Sequence, residues 1–286
     1  MFVIIGYVVI CGTIFGGYAM AGGHLGGLWQ PLEVLMIFGG ALGSFVVGND
    51  NKALKATAKA LPSIFKGSKF TKTLYLDLLA LLFEILSKIR KDGMMSIEND
   101  VENPEASPLF SKYPNLLHDH HLTEFITDYL RLMGSGNMDA FQIESLMESE
   151  IETHHMEGHV PAHCIAKLGD ALPAFGIVAA VMGVVHTMES LSLPPTELGI
   201  LIGHALVGTF LGILLAYGFI GPLSGLLEQK LEESTKMYNT VKVTLISSLN
   251  GYAPAIAVEF GRKILYSTER PGFAELETHV KQAKGK

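Results

Sequence analysis

The chain has 286 residues, of which 49% are hydrophobic and 17% charged, and its mean hydropathy is +0.34. This composition is too apolar for an average soluble domain and too charged for a pure transporter bundle, so it predicts a protein with membrane and soluble parts. The formal net charge of −7 excludes the basic composition that is typical of nucleic-acid-binding proteins. The two cysteines, Cys11 and Cys164, do not predict a disulfide scaffold.

Two zones of the chain lack every basic residue. Residues 1–51 and 168–229 contain no Lys or Arg, and each zone divides into a pair of apolar runs. About 20 helical residues, at about 1.5 Å each, cross the hydrocarbon layer of a bilayer. The sequence therefore predicts four transmembrane helices, the second of them short, at 2–21, 32–48, 170–191 and 199–221.

The basic residues also predict the orientation of these spans. The linkers "GGHLGGLWQP" and "SLPPTE" within the two pairs lack Lys and Arg, whereas the two long segments carry every positive charge. By the positive-inside rule, the long segments and both termini are cytoplasmic, and the linkers face outside. Residues 1–32 hold no Asp, Glu, Lys or Arg, which disfavours a soluble all-α globule. A cleaved signal peptide is disfavoured because a positive n-region is missing.

The first cytoplasmic segment begins with a basic stretch. Residues 51–76 carry six lysines and no Glu, interleaved with apolar residues. They are typical of a helix lying against anionic head groups, or of solvated lysines that only fix the topology.

Helical periodicity continues through the rest of this segment. Leu74, Leu78, Leu81 and Leu82 lie at helical spacing in a helix that stops at Gly93. The whole block shows no strand alternation. We expect an all-α integral membrane protein with these four parts: transmembrane helices 1 and 2 in 1–48, a helical cytoplasmic domain in 49–167, transmembrane helices 3 and 4 in 168–221, and a cytoplasmic C-terminal helix and tail in 222–286.

Two histidine clusters could suggest a metal site. The first comprises His118, His120 and His121, and the second comprises His155, His159 and His163. Gly158 and Pro161 are expected to interrupt any helix that would align the second cluster, so surface histidines are favoured over metal ligands. No phosphate-binding loop, H-E-x-x-H or G-x-S-x-G motif is present, so we expect neither an enzyme nor a cofactor.

An ion path through the third and fourth spans would lack an acid. Asp170 and Glu189 lie near the ends of the third span, and no acid lies in the middle of either span. A charged group in mid-membrane is costly and marks function, so a conducting carboxylate would have to come from another chain. Pro173 and Pro222 either allow the helices to bend or simply mark helix ends.

Four stretches of the sequence resemble the A subunit of the bacterial flagellar stator, the MotA family. They are "SKIRKDGMMSIENDVENPEAS", "DALPAFGIVAAVMGVVHTM", "HALVGTFLGILLAYGFIGPL" and "VKVTLISSLNGYAPAIAVEFGRK". The likeness runs from the first span to about Leu276 and includes the lateral-flagellar, LafT-like type. It agrees with the topology predicted above.

The resemblance implies a stator subunit that couples proton flow to torque on the rotor, for swimming or swarming motility and chemotaxis. It implies a homopentamer around a dimer of a single-span, MotB-type B subunit. The B subunit would supply the aspartate that takes up the ion, and thus the carboxylate that these spans lack. The expected location is the bacterial inner membrane.

The resemblance also implies roles for single residues. Pro173 and Pro222 match two prolines linked to the conformational change between ion binding and torque. Arg90 and Glu98 match a charged pair that engages the rotor switch protein FliG, and Glu150 is a weaker match to a further charge in that region. Locally, Arg90 in a last helical turn and Glu98 in a first turn would also offset helix dipoles.

The ion is expected to be H⁺ rather than Na⁺. Sodium-type relatives place a threonine where Ala180 stands, so Thr209 alone offers a hydroxyl from the paired positions, and one hydroxyl poorly replaces a Na⁺ hydration shell. Tyr217 is a further hydroxyl in the fourth span. The candidate proton-channel and coupling residues are thus Pro173, Ala180, Thr209, Tyr217 and Pro222.

Two other functions fit part of the pattern. An ExbB- or TolQ-like subunit would energise outer-membrane processes, but such proteins lack a large domain like 49–167 between two pairs of spans. A passive membrane scaffold would use that domain for docking. The sequence assigns no role to Glu33 or to the histidine clusters.

Overall fold

The computed structural model describes residues 2–190 and 192–284. These residues form twelve α-helices and no strand, with short 3₁₀ turns between several helices. The helices are α1 (Phe2–Met20), α2 (Pro31–Val47), α3 (Asn51–Ile64), α4 (Lys72–Asp92), α5 (Glu98–Glu102), α6 (Pro114–Leu117), α7 (His120–Ser135), α8 (Ala140–Glu189), α9 (Pro195–Ile213), α10 (Gly221–Leu249), α11 (Pro254–Lys263) and α12 (Phe273–Lys284).

The chain packs into two compact units. The membrane unit comprises Met1–Gly67 and Gly158–Lys230, and the polar unit comprises Ser68–Glu157 and Leu231–Lys286. The predicted domain bounds follow hydropathy, whereas these units follow packing. Each unit therefore combines parts of the chain that are distant in sequence.

Four helical stretches are long and apolar enough to cross a membrane: Phe2–Met20, Leu25–Val47, Ala140–Glu189 and Pro195–Leu249. The first two stretches end one residue before the predicted spans 2–21 and 32–48, and the second begins seven residues earlier than predicted. The third ends at Glu189, whereas 170–191 was predicted and residue 191 lies outside the described residues, and the fourth contains 199–221. The predicted all-α, four-span class is confirmed.

Helix α8 is longer than the sequence predicts. It runs without a break from Ala140 to Glu189 and contains Pro161 and Pro173. The expectation that Gly158 and Pro161 interrupt the helix was wrong. A proline removes one helical hydrogen bond, but packing outweighs that loss here, because the neighbouring Ala162 and Ile165 are buried against α3 and α10.

The helix that follows α9 widens before Pro222. Leu214–Ile220 is π-helical, and the Gly221 N–H bonds the carbonyl of Ala216, five residues back. Pro222 has no N–H for the carbonyl of Gly218, and this missing bond accounts for the wider turn. A Cβ on Gly221 would lie 2.9 Å from the Ala216 oxygen, so the wide turn requires glycine there. The fourth span thus continues directly into α10.

Helix α4 is central to the polar unit. The Thr71 hydroxyl accepts a hydrogen bond from the Leu74 N–H at 3.3 Å, and Gly93, with φ of 83°, ends the helix as predicted. Most of its apolar side chains are fully buried, because α11 and α12 pack against it. Lys112 and Tyr113 hydrogen bond the buried Glu84 carboxylate at 2.8 and 3.0 Å.

Candidate functional site

Helices α8 and α9 cross through small residues. A Cβ built on Gly212 would lie 2.8 Å from the Leu172 carbonyl oxygen and 3.0 Å from Gly176 Cα. Pro173 belongs to the same contact, with its Cα 3.3 Å from that Cβ position. Only glycine allows the two backbones to approach so closely. The first predicted coupling proline therefore lies inside this helix crossing.

The second predicted coupling proline, Pro222, follows a residue that contacts the turn of α8 just before Pro173. Because Pro173 has no N–H, it leaves the carbonyl of Gly169 without its usual helical partner. A Cβ on Gly169 would lie 3.6 Å from the Gly221 nitrogen and 3.7 Å from its Cα, and Gly221 directly precedes Pro222. The structure thus brings the turns that carry Pro173 and Pro222 together.

Helix α1 supports the π-helical segment. The Tyr7 hydroxyl donates a hydrogen bond to the Phe219 carbonyl at 2.9 Å, and the two rings pack at 4.9 Å. This bond satisfies a carbonyl in the region that Pro222 disturbs. Tyr217 lies on the same segment, but its side chain is 70% exposed and is not brought to the α8–α9 crossing.

The two positions proposed for ion selection lie at one level. A Cβ on Gly208 of α9 would lie 3.3 Å from the Ala180 nitrogen of α8, and Thr209 follows Gly208. Ala180 and Thr209 are both half-buried. Their helices therefore meet where the sequence predicts ion selection.

Glu33 also reaches this level. Its Oε2 lies 3.2 Å from the Cβ position on Gly208, next to Ala180. Glu33 is 8% exposed, and its Oε2 is the one buried side-chain oxygen or nitrogen without a hydrogen-bond partner among the described residues. An unpaired charge in mid-membrane costs about 2.5–3.5 kcal/mol on insertion scales, so this is an unusual place for a carboxyl group.

The depth of Glu33 follows from the way in which α2 is placed. Further along α2, a Cβ on Gly40 would clash with the Phe175 ring of α8, so α2 runs antiparallel to α8. Ala180 stands close to midway along α8 between Asp170 and Glu189. Glu33 lies in the first turn of α2, so its carboxyl group reaches the level of Ala180 from the beginning of the second span.

The linker before α2 lies beside α1 and α9. Residues 22–28 line a cavity of about 760 Å³ together with α1 and the α9 residues from Ile200 to Phe210. The linker therefore lies along the fourth span. His24 and His204 supply the imidazoles of this cavity, and Val207, next to Gly208, also lines it.

The predicted rotor-facing pair lies in the polar unit. Arg90 is in the last turn of α4 and Glu98 begins α5, and both side chains are exposed. Neither side chain makes a hydrogen bond or an ion pair with the described residues. Both charges are thus available to a partner.

A buried network ties α4 to α5. Lys88 Nζ lies 2.7 Å from Asp100 Oδ2, and the Ser107 hydroxyl donates to Asp100 Oδ1 at 2.6 Å. Lys88 lies two residues before Arg90 in α4, and Asp100 lies two residues after Glu98 in α5. This network fixes the turn between the two exposed charges.

Glu150 lies apart from that pair. Its Oε2 accepts a hydrogen bond from Tyr129 of α7 at 2.7 Å, whereas Arg131 of α7 bonds Glu102 of α5 at 2.9 Å. Side chains two residues apart on a helix point about 200° away from each other, so Tyr129 and Arg131 project from opposite faces of α7. Helix α7 therefore lies between Glu150 and α5. Burial, followed by the hydrogen bond to Glu150, raises the pKa of Tyr129, which stays protonated as the donor.

His155 of the second histidine cluster and the neighbouring His154 lie beside hydroxyl groups. His154 and His155 lie 3.3 and 3.2 Å from the hydroxyls of Ser234 and Thr235, and burial lowers the pKa of His154. Within the described residues, no group of three or more His, Cys, Asp or Glu side chains could hold a metal ion.

Comparison with known proteins places the chain. Residues 4–93 match the model of the motility protein A N-terminal family, and residues 118–240 match the MotA/TolQ/ExbB proton channel family. The chain is 59% identical to motility protein A of Salmonella typhimurium over 284 residues, which cover 99% of this chain and 96% of the relative. The chain belongs to the motility protein A (MotA) family.

Other members of the MotA family agree with this placement. The chain is 36% identical to the chemotaxis protein LafT of Vibrio parahaemolyticus, over 98% of this chain and 99% of the relative. The solved structure of C. jejuni MotAB superposes with a TM-score of 0.76 at 21% identity, over 93% of this chain and 95% of that one, and shows the same fold. The predicted family is confirmed, and with it the function of a flagellar stator proton channel.

Sequence reasoning missed three residues of this MotA-family chain. Glu33 is the only acid in residues 1–49, and an isolated acid in an apolar zone is a reason to test for a functional site. Gly176 completes the small-residue contact with Gly208 and Gly212. Asp100 showed no signal, because one acid among many in a polar segment carries no information about burial.

Proposed function

We propose that the chain assembles as a homopentamer around a dimer of a MotB-type B subunit in the inner membrane, with both termini in the cytoplasm. The membership of the MotA family over nearly the whole chain carries this proposal. The C. jejuni structure is of a MotAB complex. The B subunit supplies an acidic residue at the level of Ala180 and Thr209.

In this mechanism, ion movement changes the α8–α9 crossing. Protonation of the B-subunit acid removes its charge and releases it from one subunit's crossing to the next. Each proton that falls through about 100 mV yields about 2.3 kcal/mol, enough to shift a modest two-state helix packing. Pro173 and Pro222 lie in adjoining turns, so a shift at the crossing is passed to the start of α10.

Torque then requires contact with the rotor. Arg90 and Glu98 are exposed and unpaired among the described residues, and they fit a transient, electrostatically steered contact with charged residues of FliG. Glu150 is held by Tyr129 on the other side of α7, so it serves a separate contact or only a structural role.

The transported ion is H⁺, and the protein needs no cofactor. Ala180 has no hydroxyl to join that of Thr209, so the pair offers a poor substitute for the hydration shell of Na⁺. The rival ExbB- or TolQ-like function is disfavoured by the match of residues 4–93 to the motility protein A N-terminal model.

The test is proton flux into liposomes that contain the chain with and without its B subunit. The complex should acidify the lumen under an imposed potential in sodium-free buffer, whereas the chain alone should not. Pro173→Ala should leave B-subunit co-purification intact and abolish swimming or swarming. Pro195→Ala, at the exposed start of α9, is the matched control and should swim normally. A complex without flux, or equal flux by the chain alone, would overturn the proposal.

A further inference from the structure

Glu33 is a titratable group of the membrane unit that the proposed mechanism does not use. It is one of the few polar side chains that are more than nine-tenths buried there, and its Oε2 has no partner among the described residues. Its Oε2 lies beside Gly208 of α9, whose Cβ position is also next to Ala179 and Ala180 of α8. None of these side chains can donate a hydrogen bond.

A carboxyl group in such a place is most stable when it holds a proton. Desolvation disfavours the charged form of a carboxyl group, and no ion pair to Glu33 is formed within the part of the chain that the structure describes. Along α9, the titratable side chain nearest to Gly208 in sequence is His204, which lines the cavity beside the linker before α2, called the outer cavity below. Along α8, the one nearest to Ala180 is His186, which is exposed. Neither is hydrogen bonded to Glu33.

The position of Glu33 relates it to the ion path. The outer cavity reaches along α9 to Val207 and Phe210, on either side of Gly208. On the other side of Gly208, the carboxyl group is next to Ala180, where ion selection is proposed. Glu33 therefore lies at the contact between α8 and α9, beside the segment of α9 that also lines the cavity with His24 and His204.

We propose that Glu33 is a proton-holding residue of this chain, on the outer limb of the path, and that it hands its proton to the acidic residue of the B subunit. This inference rests on the proposed function. The path then contains two carboxyl groups from different chains, of which the A subunit supplies the outer one.

The transfer balances without any further reactant. The O–H bond of the Glu33 carboxyl breaks, and the proton binds the carboxylate of the B subunit, leaving Glu33 as the carboxylate. A proton from water in the outer cavity then restores the acid. Because Oε2 of Glu33 has no hydrogen-bond partner among the described residues, the charged form is short-lived and favours rapid reprotonation.

The experiment uses the complete complex in liposomes and three variants. Glu33→Gln keeps the shape and hydrogen-bonding capacity of the side chain but cannot release a proton. Glu33→Asp keeps the acid. Glu197→Gln removes an exposed acid in the first turn of α9 and is the matched control.

We expect Glu33→Gln to lower proton flux about a hundredfold, the range in which a positioned group accelerates proton transfer. Glu33→Asp should restore part of the flux, and Glu197→Gln should leave it unchanged. B-subunit co-purification should be equal in all variants. Infrared difference spectra recorded across a pH step should contain a protonated carboxyl band that is lost in Glu33→Gln.

The outcomes separate this inference from the proposed function. If the wild-type complex conducts and Glu33→Gln conducts equally, Glu33 is not a proton carrier and the proposed function stands. If Glu33→Gln loses flux only because the B subunit no longer co-purifies, Glu33 is an assembly residue and the inference is overturned. If the wild-type complex does not conduct, the proposed function itself fails.

Discussion

Gly212 sets how closely two membrane helices can approach. The space that a methyl group would need there is occupied by the backbone of α8, at Leu172 and Gly176. Backbone atoms cannot rotate away as a side chain does, so any larger residue must push the helices apart. The crossing is therefore specified by the absence of a side chain.

We predict that Gly212→Ala destabilises the chain by about 1–3 kcal/mol, because overpacking outweighs the gain in helix propensity. Gly199→Ala, in open space on the same helix, should be neutral or stabilising by up to about 1 kcal/mol. Thermal unfolding of the detergent-solubilised chain measures both. Equal stability of the two variants would show that the crossing tolerates a methyl group.

A second prediction concerns the ion pair of Glu259 and Arg262 in the polar unit. Arg262 is 7% exposed and donates to both carboxylate oxygens of Glu259, at 2.6 and 2.7 Å. The hydrogen bonds from Arg262 lower the pKa of Glu259 below its ordinary value of 4.5. A lowered folded-state pKa stabilises the fold above the unfolded pKa, and this contribution disappears as the pH falls through the folded pKa.

Glu259→Gln should therefore lower stability by about 1–3 kcal/mol at neutral pH, and the difference from wild type should shrink well below pH 4.5. Glu277→Gln breaks an exposed i,i+4 pair with Lys281 and should change stability by less than about 0.5 kcal/mol. Unfolding followed as a function of pH provides the measurement. A pH-independent loss in Glu259→Gln would contradict the ion-pair explanation.

At the scale of elements, α5 is too short to hold its own position. Its five residues form barely more than one turn, and isolated helices of this length are unstable in water. The bonds of Asp100 to Lys88 and Ser107 provide the missing fixation. The bond to Lys88 attaches α5, which carries Glu98, to α4, which carries Arg90.

We predict that Lys88→Met and Asp100→Asn each cost about 1–3 kcal/mol and that the double variant costs less than their sum, with a coupling of about 0.5–3 kcal/mol. Swimming speed should fall in each variant although Arg90 and Glu98 are unchanged. Lys91→Met, which removes an exposed lysine of the same helix, is the control. Additive effects on stability with normal swimming would remove Asp100 from the positioning role.

The elements also show what hydropathy can predict. The bounds of α1 and α2 and the end of α4 at Gly93 follow from local signals: uninterrupted apolar runs and a glycine that adopts a positive φ. The continuity of α8 through Pro161 does not, because packing of distant residues around Ala162 decides it. The closeness of Glu33 to Gly208 depends in the same way on the packing of α2 against α9.

The whole molecule has a topology that its lysines predict. The charge-free zones pair the spans, and all Lys and Arg residues lie in the segments assigned to the cytoplasm. In the proposed function, this assignment decides which charges can meet the rotor.

We predict that a membrane-impermeant thiol reagent labels Thr196→Cys in intact cells and labels Asn137→Cys only after permeabilisation. Both positions are exposed in the structure, so access depends on the side of the membrane and not on burial. The parent chain gives the background of Cys11 and Cys164. Labelling of Asn137→Cys in intact cells would reverse the assigned orientation.

The π-helical segment Leu214–Ile220 holds one residue more than a regular α-helical ladder would need. Tightening it to α-helical bonding would displace that surplus residue along the helix, and each residue corresponds to a screw of about 100° and 1.5 Å. Tyr217, whose side chain projects from this segment, would then swing by a discrete angle. The fourth span can thus move in discrete steps, in which its side chains advance by one whole residue position at a time.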